Sequence, residues 1–200
     1  DNVIAVMTRE GLWRGRMLSE LSPKSGQNIL DIGSGTGSWS ILVKQEFPDT
    51  KVIALDPDPD VRRIAERKAT DANVDIQFLT VMGNSQIEMI DASTIDLVTI
   101  SLVLHQCPMK TKTEILSNAY RLLRPGGRLL ISDYGKQRSP LMSLLFNQVR
   151  IVDGYQDTKA NKDGLIPQLM RQAGFQNVDE RKITPTPTGS ISLYVGQKAN

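Results

Sequence analysis

The residues best suited to chemistry lie in one short segment, residues 28–39, which reads NILDIGSGTGSW. An apolar run there leads into three glycines at alternate positions, Gly33, Gly35 and Gly37, and Asp31 stands just before them. Glycines at such a turn allow backbone conformations that other residues avoid, and they let a ligand approach the backbone. The pattern predicts a buried strand, a tight turn and a helix start that together bind a nucleotide-like ligand.

The spacing of the glycines separates two classes of ligand. A dinucleotide-binding loop follows the pattern G-x-G-x-x-G and meets a pyrophosphate at a helix N-terminus, but Ser38 stands where that pattern has its third glycine. An acid at the end of the strand suits a ligand with an ammonium group, because Asp31 can accept hydrogen bonds from it. A dinucleotide offers no such group, so the spacing disfavours a nicotinamide enzyme.

The segment LDIGSGTG, residues 30–37, resembles the first motif of the class I S-adenosylmethionine-dependent methyltransferases. Later segments match that family in order, so the resemblance covers nearly all of residues 10–198. It is strongest to the small-molecule branch that includes the ubiquinone and menaquinone biosynthesis methyltransferases. The resemblance implies S-adenosylmethionine as cofactor, S-adenosylhomocysteine as product, and in-line transfer of a methyl group to a small-molecule acceptor.

An acid follows the second predicted strand, residues 51–55, and is a candidate to bind the ribose of the cofactor. This acid, Asp56, precedes Pro57 and lies 21 residues after Gly35, close to the spacing of about 20 at which such acids bind ribose hydroxyls. The alternative is that Asp56 caps the helix predicted over residues 58–71. With the resemblance, ribose binding is the preferred interpretation.

The resemblance adds a position after the third predicted strand, residues 75–79, where the family commonly has an acid that bonds the adenine amino group. This chain has Asn84 there, whose side-chain oxygen can accept the same bond, although an ordinary turn asparagine is the competing interpretation. The complete predicted cofactor-binding set is Asp31, Gly33, Ser34, Gly35, Gly37, Asp56, Pro57, Asn84 and Ser101.

The fourth predicted strand, residues 95–104, is too apolar to have a solvated face and should lie at the sheet centre. In this fold its end emerges beside the cofactor's sulfonium, which makes His105, the only histidine of the chain, a candidate catalytic base. The alternative is a structural histidine that bonds the backbone. Related sequences often have two histidines here, so Gln106 prevents the transfer of a paired role. Asp133 is another candidate base for a phenol, enol or quinol acceptor.

Composition limits the other function classes. The 200 residues are 40% apolar and 23% charged, as expected for one ordinary domain, and a formal net charge of +2 without a long basic block does not indicate nucleic acid. The single cysteine, Cys107, excludes an internal disulfide, argues against a cysteine-built metal site and fits a reducing cytoplasm. The longest apolar stretch, residues 95–104, is shorter than the ~20 residues that span a bilayer. No metal site is predicted.

Alternating strands and helices with apolar central strands predict a three-layer α/β fold. With the resemblance, the fold is Rossmann-like, with a mostly parallel seven-stranded sheet and one antiparallel strand near the C-terminus. We expect a single domain over residues 1–200, with an N-terminal helix in residues 1–22 and a substrate-pocket insertion at residues 136–162. Because the chain starts at Asp1 without a methionine, residues can be missing upstream, where the family often has a substrate lid. The pocket candidates are Tyr134, Met142, Phe146, Arg150 and Tyr155.

Two alternatives to a small-molecule methyltransferase stay open. One is a protein or nucleic-acid methyltransferase on the same fold, although residues 101–108 lack the N-P-P-Y or D-P-P-Y motif typical of base methylation. The other is a non-catalytic protein that binds the adenosyl cofactor. The sequence makes no prediction of the oligomeric state or of the acceptor atom.

Overall fold

The computed structural model describes residues 7–84, 87 and 89–200. Its helices are α1 (Glu10–Leu21), α2 (Ser38–Glu46), α3 (Pro59–Asp71), α4 (Met109–Leu122), α5 (Pro140–Asp153), α6 (Lys159–Asp163) and α7 (Ile166–Gln172). Its strands are β1 (Asn28–Ile32), β2 (Lys51–Asp56), β3 (Gln77–Thr80), β4 (Ile95–Ser101), β5 (Leu123–Tyr134), β6 (Gln176–Thr186) and β7 (Gly189–Gln197). A single 3₁₀ turn, Leu104–Gln106, follows β4. Strands and helices therefore alternate as the sequence predicts.

The strands form a seven-stranded sheet in the order β3-β2-β1-β4-β5-β7-β6. The pairs β1–β2, β2–β3, β1–β4 and β4–β5 are parallel, whereas β7 runs antiparallel to both β5 and β6. The predicted fold, including the single antiparallel strand, is confirmed. Strand order reverses between β1 and β4, so the carboxyl ends of these strands border the crevice where open α/β sheets bind ligands.

Helices cover both faces of the sheet. On one face α4 packs against β5 and α7 against β6, and Leu116, Met170 and Ile100 belong to the apolar cluster on this face. On the other face α1, α2 and α5 contribute Trp13, Trp39 and Phe146 to a second cluster. Strand β4 is buried along its centre, which confirms its predicted place in the middle of the sheet.

The end of β4 differs from the prediction. The predicted strand over residues 95–104 ends at Ser101, and Leu102 then adopts a φ of +54°. The backbone N–H groups of the next residues do not continue the sheet, because the carboxylate of Asp133 accepts from those of Val103 and Leu104 at 3.2 and 2.7 Å. A buried carboxylate on the neighbouring strand thus turns the chain into the 3₁₀ turn that carries His105.

Two connections near the C-terminus are short. Gly164 takes a φ of +77° and ends α6, so that α7 begins three residues after Asp163. Strands β6 and β7 are joined by a tight turn, since β6 continues to Thr186 and β7 begins at Gly189. No helix among the described residues is long and apolar enough to cross a membrane. The single-domain assignment of residues 1–200 stays a prediction.

Candidate active site

A cavity of about 770 Å³ opens at the carboxyl ends of β1, β2 and β4. Its volume falls within the ~300–1,000 Å³ that is usual for ligand sites. From the predicted cofactor-binding set, the lining contains Gly33, Ser34, Gly35, Asp56, Pro57 and Ser101. The described structure therefore gathers residues from three strand ends around one space, although Asp31, Gly37 and Asn84 are not part of its lining.

The three glycines of the loop have different roles. A Cβ on Gly33 would lie 2.3 Å from Cγ2 of Val103, and one on Gly37 would lie 3.0 Å from Cβ of Ala65. A Cβ on Gly35 would meet nothing within 4 Å. All three residues have positive φ values, between +53° and +74°. Packing therefore requires glycine at the first and third positions, whereas the second leaves space at the cavity.

Asp56 lies at the end of β2, beside the glycine loop. Its Oδ2 accepts a hydrogen bond from the backbone N–H of Gly35 at 2.9 Å, and its Oδ1 accepts from that of Asp58 at 3.1 Å. Helix α3 is capped by Asp58, whose side chain accepts from the N–H groups of Asp60 and Val61. The alternative that Asp56 caps this helix is therefore wrong, and its carboxylate is held in the cavity wall.

Asp31 is buried beneath the loop, with 1% of its surface exposed. Its carboxylate accepts hydrogen bonds from Oγ of Ser40 at 2.6 Å and from Oγ1 of Thr99 at 3.0 Å. Burial raises the pKa of this carboxyl from 3.8 to about 6, against the hydrogen bonds, which lower it. Both carboxylate oxygens of Asp31 are directed to neighbouring hydroxyls, so neither is oriented toward the ligand ammonium group that the sequence predicted as its partner.

Asn84 is also turned away from the cavity. Its Nδ2 donates to Oε2 of Glu114 at 2.9 Å, and its Oδ1 is buried without a hydrogen-bond partner among the residues that the structure describes. The residues that line the cavity at this turn are Val81, Met82 and Gly83. The adenine contact assigned to Asn84 therefore requires a different side-chain orientation from the one described.

His105 lines the cavity and is 7% exposed. Its Nδ1 lies 2.7 Å from Oδ1 of Asp133, and its ring meets the ring of Tyr134 edge-on at 5.0 Å. Oδ2 of Asp133 accepts backbone N–H groups from the 3₁₀ turn, and Oδ1 also accepts from the N–H of Tyr134 at 2.7 Å. Because Oδ1 of Asp133 lies within hydrogen-bond distance of Nδ1, it orients the ring through that nitrogen, and Nε2 faces other partners.

The burial of Asp133 argues against its predicted role as a base. Asp133 is fully buried and is not part of the cavity lining, so an acceptor in the cavity does not reach its carboxylate. The second carboxylate near His105 is that of Asp153, whose Oδ2 lies 3.4 Å from Nε2. Burial alone lowers the pKa of His105, but the two carboxylates outweigh it and raise this pKa from 6.5 to about 9.

The same architecture recurs in solved structures. The S-adenosylmethionine-dependent methyltransferase SibL matches with a TM-score of 0.77 at 18% identity, over 96% of this chain and 56% of its own. This chain thus spans about half the length of that protein, and the likeness shows the fold.

Sequence relatives are similar over nearly the whole chain. The demethylmenaquinone methyltransferase of Lactiplantibacillus plantarum is 27% identical over 99% of this chain and 89% of its own length. The ubiquinone/menaquinone biosynthesis C-methyltransferase UbiE of Cereibacter sphaeroides is 26% identical over 94% of this chain and 80% of its own length. A methyltransferase-domain family matches residues 29–127, which include the glycine loop and His105. Together these matches support a class I S-adenosylmethionine-dependent methyltransferase.

The site of this methyltransferase fits the cofactor of its family, S-adenosylmethionine. Space at Gly35 lets a ligand reach the loop backbone, and the carboxylate of Asp56 stands at the strand end where ribose hydroxyls bind. Among the described residues, no group of three or more His, Cys, Asp or Glu side chains is arranged to hold a metal ion. The residues present therefore suit an organic cofactor held by backbone and carboxylate groups.

The sequence-based pocket candidates were partly wrong. Tyr134 lines the cavity, but Phe146 is fully buried against its ring, and Met142, Arg150 and Tyr155 are not part of the lining. Helix α5 instead presents Gln148, Val149, Val152 and Asp153 to the cavity. The sequence identified this helix but not its rotation, because its apolar residues surround most of the helix.

Helix α1 supplies a further wall that the predicted site did not include. Trp13 and Arg14 line the cavity, with Trp13 only 3% exposed. The guanidinium of Arg14 pairs with Glu10, which also lines the cavity, and burial lowers the pKa of Arg14. An arginine beside two apolar positions of a short helix is a common surface pattern, so the sequence carried no specific signal for this contact.

Proposed function

We propose that this methyltransferase transfers the methyl group of S-adenosylmethionine to a small, largely apolar acceptor that reacts as an oxyanion, such as a phenolate, enolate or quinolate. The observation that carries this proposal is His105, an imidazole in the wall of an apolar cavity with one carboxylate near each ring nitrogen, which together raise its pKa. The acceptor releases its hydroxyl proton to water and then attacks through the oxygen itself or through a ring carbon conjugated to it. After attack by carbon, the proton on that carbon is also released to water, which restores the ring.

The donor half of the site rests on the glycine loop and Asp56. We assign to Asp56 the two ribose hydroxyls, because its oxygens retain lone pairs beside their bonds to backbone N–H groups. Bound S-adenosylmethionine supplies an electrophilic methyl group on a positively charged sulfur. The new bond to carbon forms as the carbon–sulfur bond breaks, and its electron pair stays on sulfur, which leaves as neutral S-adenosylhomocysteine. The protein's task is to hold the two reactants in line.

The acceptor half contains His105, Trp13 and the inner side of α5. A pKa of about 9 means that both nitrogens of His105 carry protons at pH 7. In that state His105 donates a hydrogen bond from Nε2 and does not accept a proton, so we assign it the role of binding the acceptor oxyanion. The earlier expectation of a catalytic base applies only above about pH 9, where the imidazole becomes neutral.

The named relatives suggest where to begin with acceptors. They are a demethylmenaquinone methyltransferase and a ubiquinone/menaquinone biosynthesis C-methyltransferase. A reduced quinone has phenolic hydroxyls on an apolar ring, which suits a cavity lined by Trp13, Val149 and Val152 around a cationic histidine. We therefore place quinols first among the acceptors to be tested for this chain.

Calorimetric titration with S-adenosylmethionine and S-adenosylhomocysteine tests the donor half. Asp56→Asn should weaken the binding of both ligands about 10- to 100-fold, because charge-assisted hydrogen bonds contribute about 1.5–3 kcal/mol. Asp58→Asn is the matched control: it neutralises the neighbouring acid, and asparagine caps a helix as well as aspartate does. Equal affinities of the two variants would contradict the ribose assignment.

A methyl-transfer assay with labelled S-adenosylmethionine tests the acceptor half. Quinols, phenols and enols are compared with amines of similar size. The proposal expects turnover of at least one acceptor with an ionisable hydroxyl, at a rate that falls when His105 is replaced by Gln. Transfer to amines alone, or to quinols with equal efficiency in His105→Gln, would show that the oxyanion proposal is wrong.

A further inference from the structure

Two carboxylates on different elements face the single histidine. Asp133, on β5, contacts Nδ1 of His105 at 2.7 Å, and Asp153, the last residue of α5, places Oδ2 3.4 Å from Nε2. Tyr134 on β5 meets the ring edge-on, and Cys107, just after the 3₁₀ turn, lines the same cavity. Asp133 is fully buried, whereas Asp153 lines the cavity.

A buried lysine joins the histidine turn to the segment that follows α5. Lys112, on α4, has no exposed surface, and its ammonium group donates to the carbonyl oxygens of Leu104, Cys107 and Asp157. Of these carbonyls, the first lies in the turn that carries His105, the second just after that turn, and the third four residues after the end of α5. Lys112 thus holds the segment after Asp153 beside the histidine turn.

We propose that Asp153 is a positioning residue for methyl transfer, which keeps Nε2 of His105 protonated in the free enzyme until an acceptor oxyanion takes its place. This inference rests on the proposed function, because it requires an anionic acceptor. One anion replaces another at the same N–H group, so the histidine keeps its proton throughout, and no covalent bond is made or broken. Asp153 also excludes neutral acceptors that cannot compete with a carboxylate.

The contact geometry agrees with such an exchange. A distance of 3.4 Å is long for a charge-assisted hydrogen bond, which is normally about 2.7–2.9 Å, so Asp153 is the weaker of the two partners of His105. Its side chain is 22% exposed, whereas that of Asp133 is fully buried. An acceptor can therefore displace Asp153 without disturbing the Asp133 contact that orients the ring.

Nitrogen-15 NMR of the full chain tests the coupling directly, because His105 is the only histidine and its ring signals need no assignment. In Asp153→Asn we expect the midpoint of the His105 titration to fall by roughly one pH unit or more, as for loss of one close opposite charge. Asp157→Asn is the matched control, since Asp157 lies in the next turn of chain but is not among the charges that act on His105. A midpoint in Asp153→Asn equal to that of the control would overturn the proposal.

A conservative variant separates charge from folding. Asp153→Glu retains the carboxylate and should return the His105 midpoint toward that of the wild type; failure to do so, with a chain that melts normally, would also contradict the proposal. In the methyl-transfer assay, the alkaline fall of kcat/KM for a quinol or phenol should move to lower pH in Asp153→Asn by the same amount as the NMR midpoint. Affinity for S-adenosylmethionine should stay within about twofold.

The two readouts distinguish the inference from the proposed function. A lowered midpoint without turnover of any hydroxyl acceptor would refute the proposed function and with it the exchange, while the Asp153–His105 coupling would stand. Turnover of a quinol with an unchanged midpoint would refute Asp153 as the positioning residue and leave the proposed function intact.

Discussion

Alanine substitutions at two glycines of the loop test whether one glycine is required for packing and the other for the approach of the ligand. Both Gly33 and Gly35 have positive φ values, +74° and +53°, so alanine at either position costs about 1–2 kcal/mol in backbone strain. The positions differ in their surroundings. A Cβ at Gly33 would meet Cγ2 of Val103 at 2.3 Å, whereas one at Gly35 would meet nothing within 4 Å.

The clash sets the expected difference in stability. Val103 cannot move aside easily, because its backbone N–H is bonded to the carboxylate of Asp133 at 3.2 Å. Overpacking of this kind costs about 1–3 kcal/mol, so Gly33→Ala should be less stable than Gly35→Ala by about 2 kcal/mol. For a domain of 200 residues this corresponds to a Tm lower by roughly 4–8 °C.

Binding should show the opposite contrast. The alanine methyl at Gly35 would occupy the space through which the cofactor reaches the loop backbone, so S-adenosylmethionine affinity should fall at least about tenfold with a small loss of stability. Thermal melting and calorimetric titration of both variants provide the two measurements. Equal Tm values for the two variants, or wild-type affinity in Gly35→Ala, would refute this account of the loop.

Three further predictions concern His105, Lys112 and Asp58. The folded-state pKa of His105 is about 9, above the ~6.5 of an unfolded histidine, so its contribution to stability is complete below pH ~6.5 and is lost as the pH rises through 9. Urea unfolding from pH 6 to 10 should therefore show the free energy of unfolding of the wild type falling by about 3 kcal/mol, a fall that His105→Gln lacks. The same pH dependence in both proteins would contradict a charged pair between His105 and the carboxylates. Lys112→Met should lower the free energy of unfolding by about 3 kcal/mol or more, because three buried carbonyls lose their donor. A loss below ~1 kcal/mol would show that these three hydrogen bonds do not stabilise the fold. Asp58→Ala should cost about 0.5–2 kcal/mol in a melt by removing the cap of α3, with cofactor affinity unchanged; a matching loss of affinity would place Asp58 in the binding site.

Much of the fold followed from local patterns in the sequence. The strand, turn and helix start predicted within residues 28–39 are present as β1, the glycine loop and the start of α2, because each is specified by a few neighbouring residues. The central place of β4 followed from its continuous apolar character. The prediction of β4 failed only at its end, where Asp133, a residue distant in sequence, captures its backbone N–H groups.

Side-chain direction was much less predictable. Asp31 stands beside the loop glycines in sequence, yet its carboxylate turns to Ser40 and Thr99 in the interior. Asn84 turns to Glu114, 30 residues later in the chain. Each orientation is decided by hydrogen-bond partners on other elements, and a single sequence contains no information on which of these partners meets which side chain.

The sequence by itself determined the proposed donor side of this methyltransferase. The glycine loop and Asp56 follow consecutive strands of one parallel unit, and the carboxyl ends of such strands necessarily meet. Only the tertiary structure decided the acceptor side. It brought Asp133, His105 and Asp153 together from a strand, a 3₁₀ turn and a helix, and the charges of the two carboxylates changed the expected state of the histidine from neutral to protonated. A pKa depends on distances and burial, which exist only once the chain has folded.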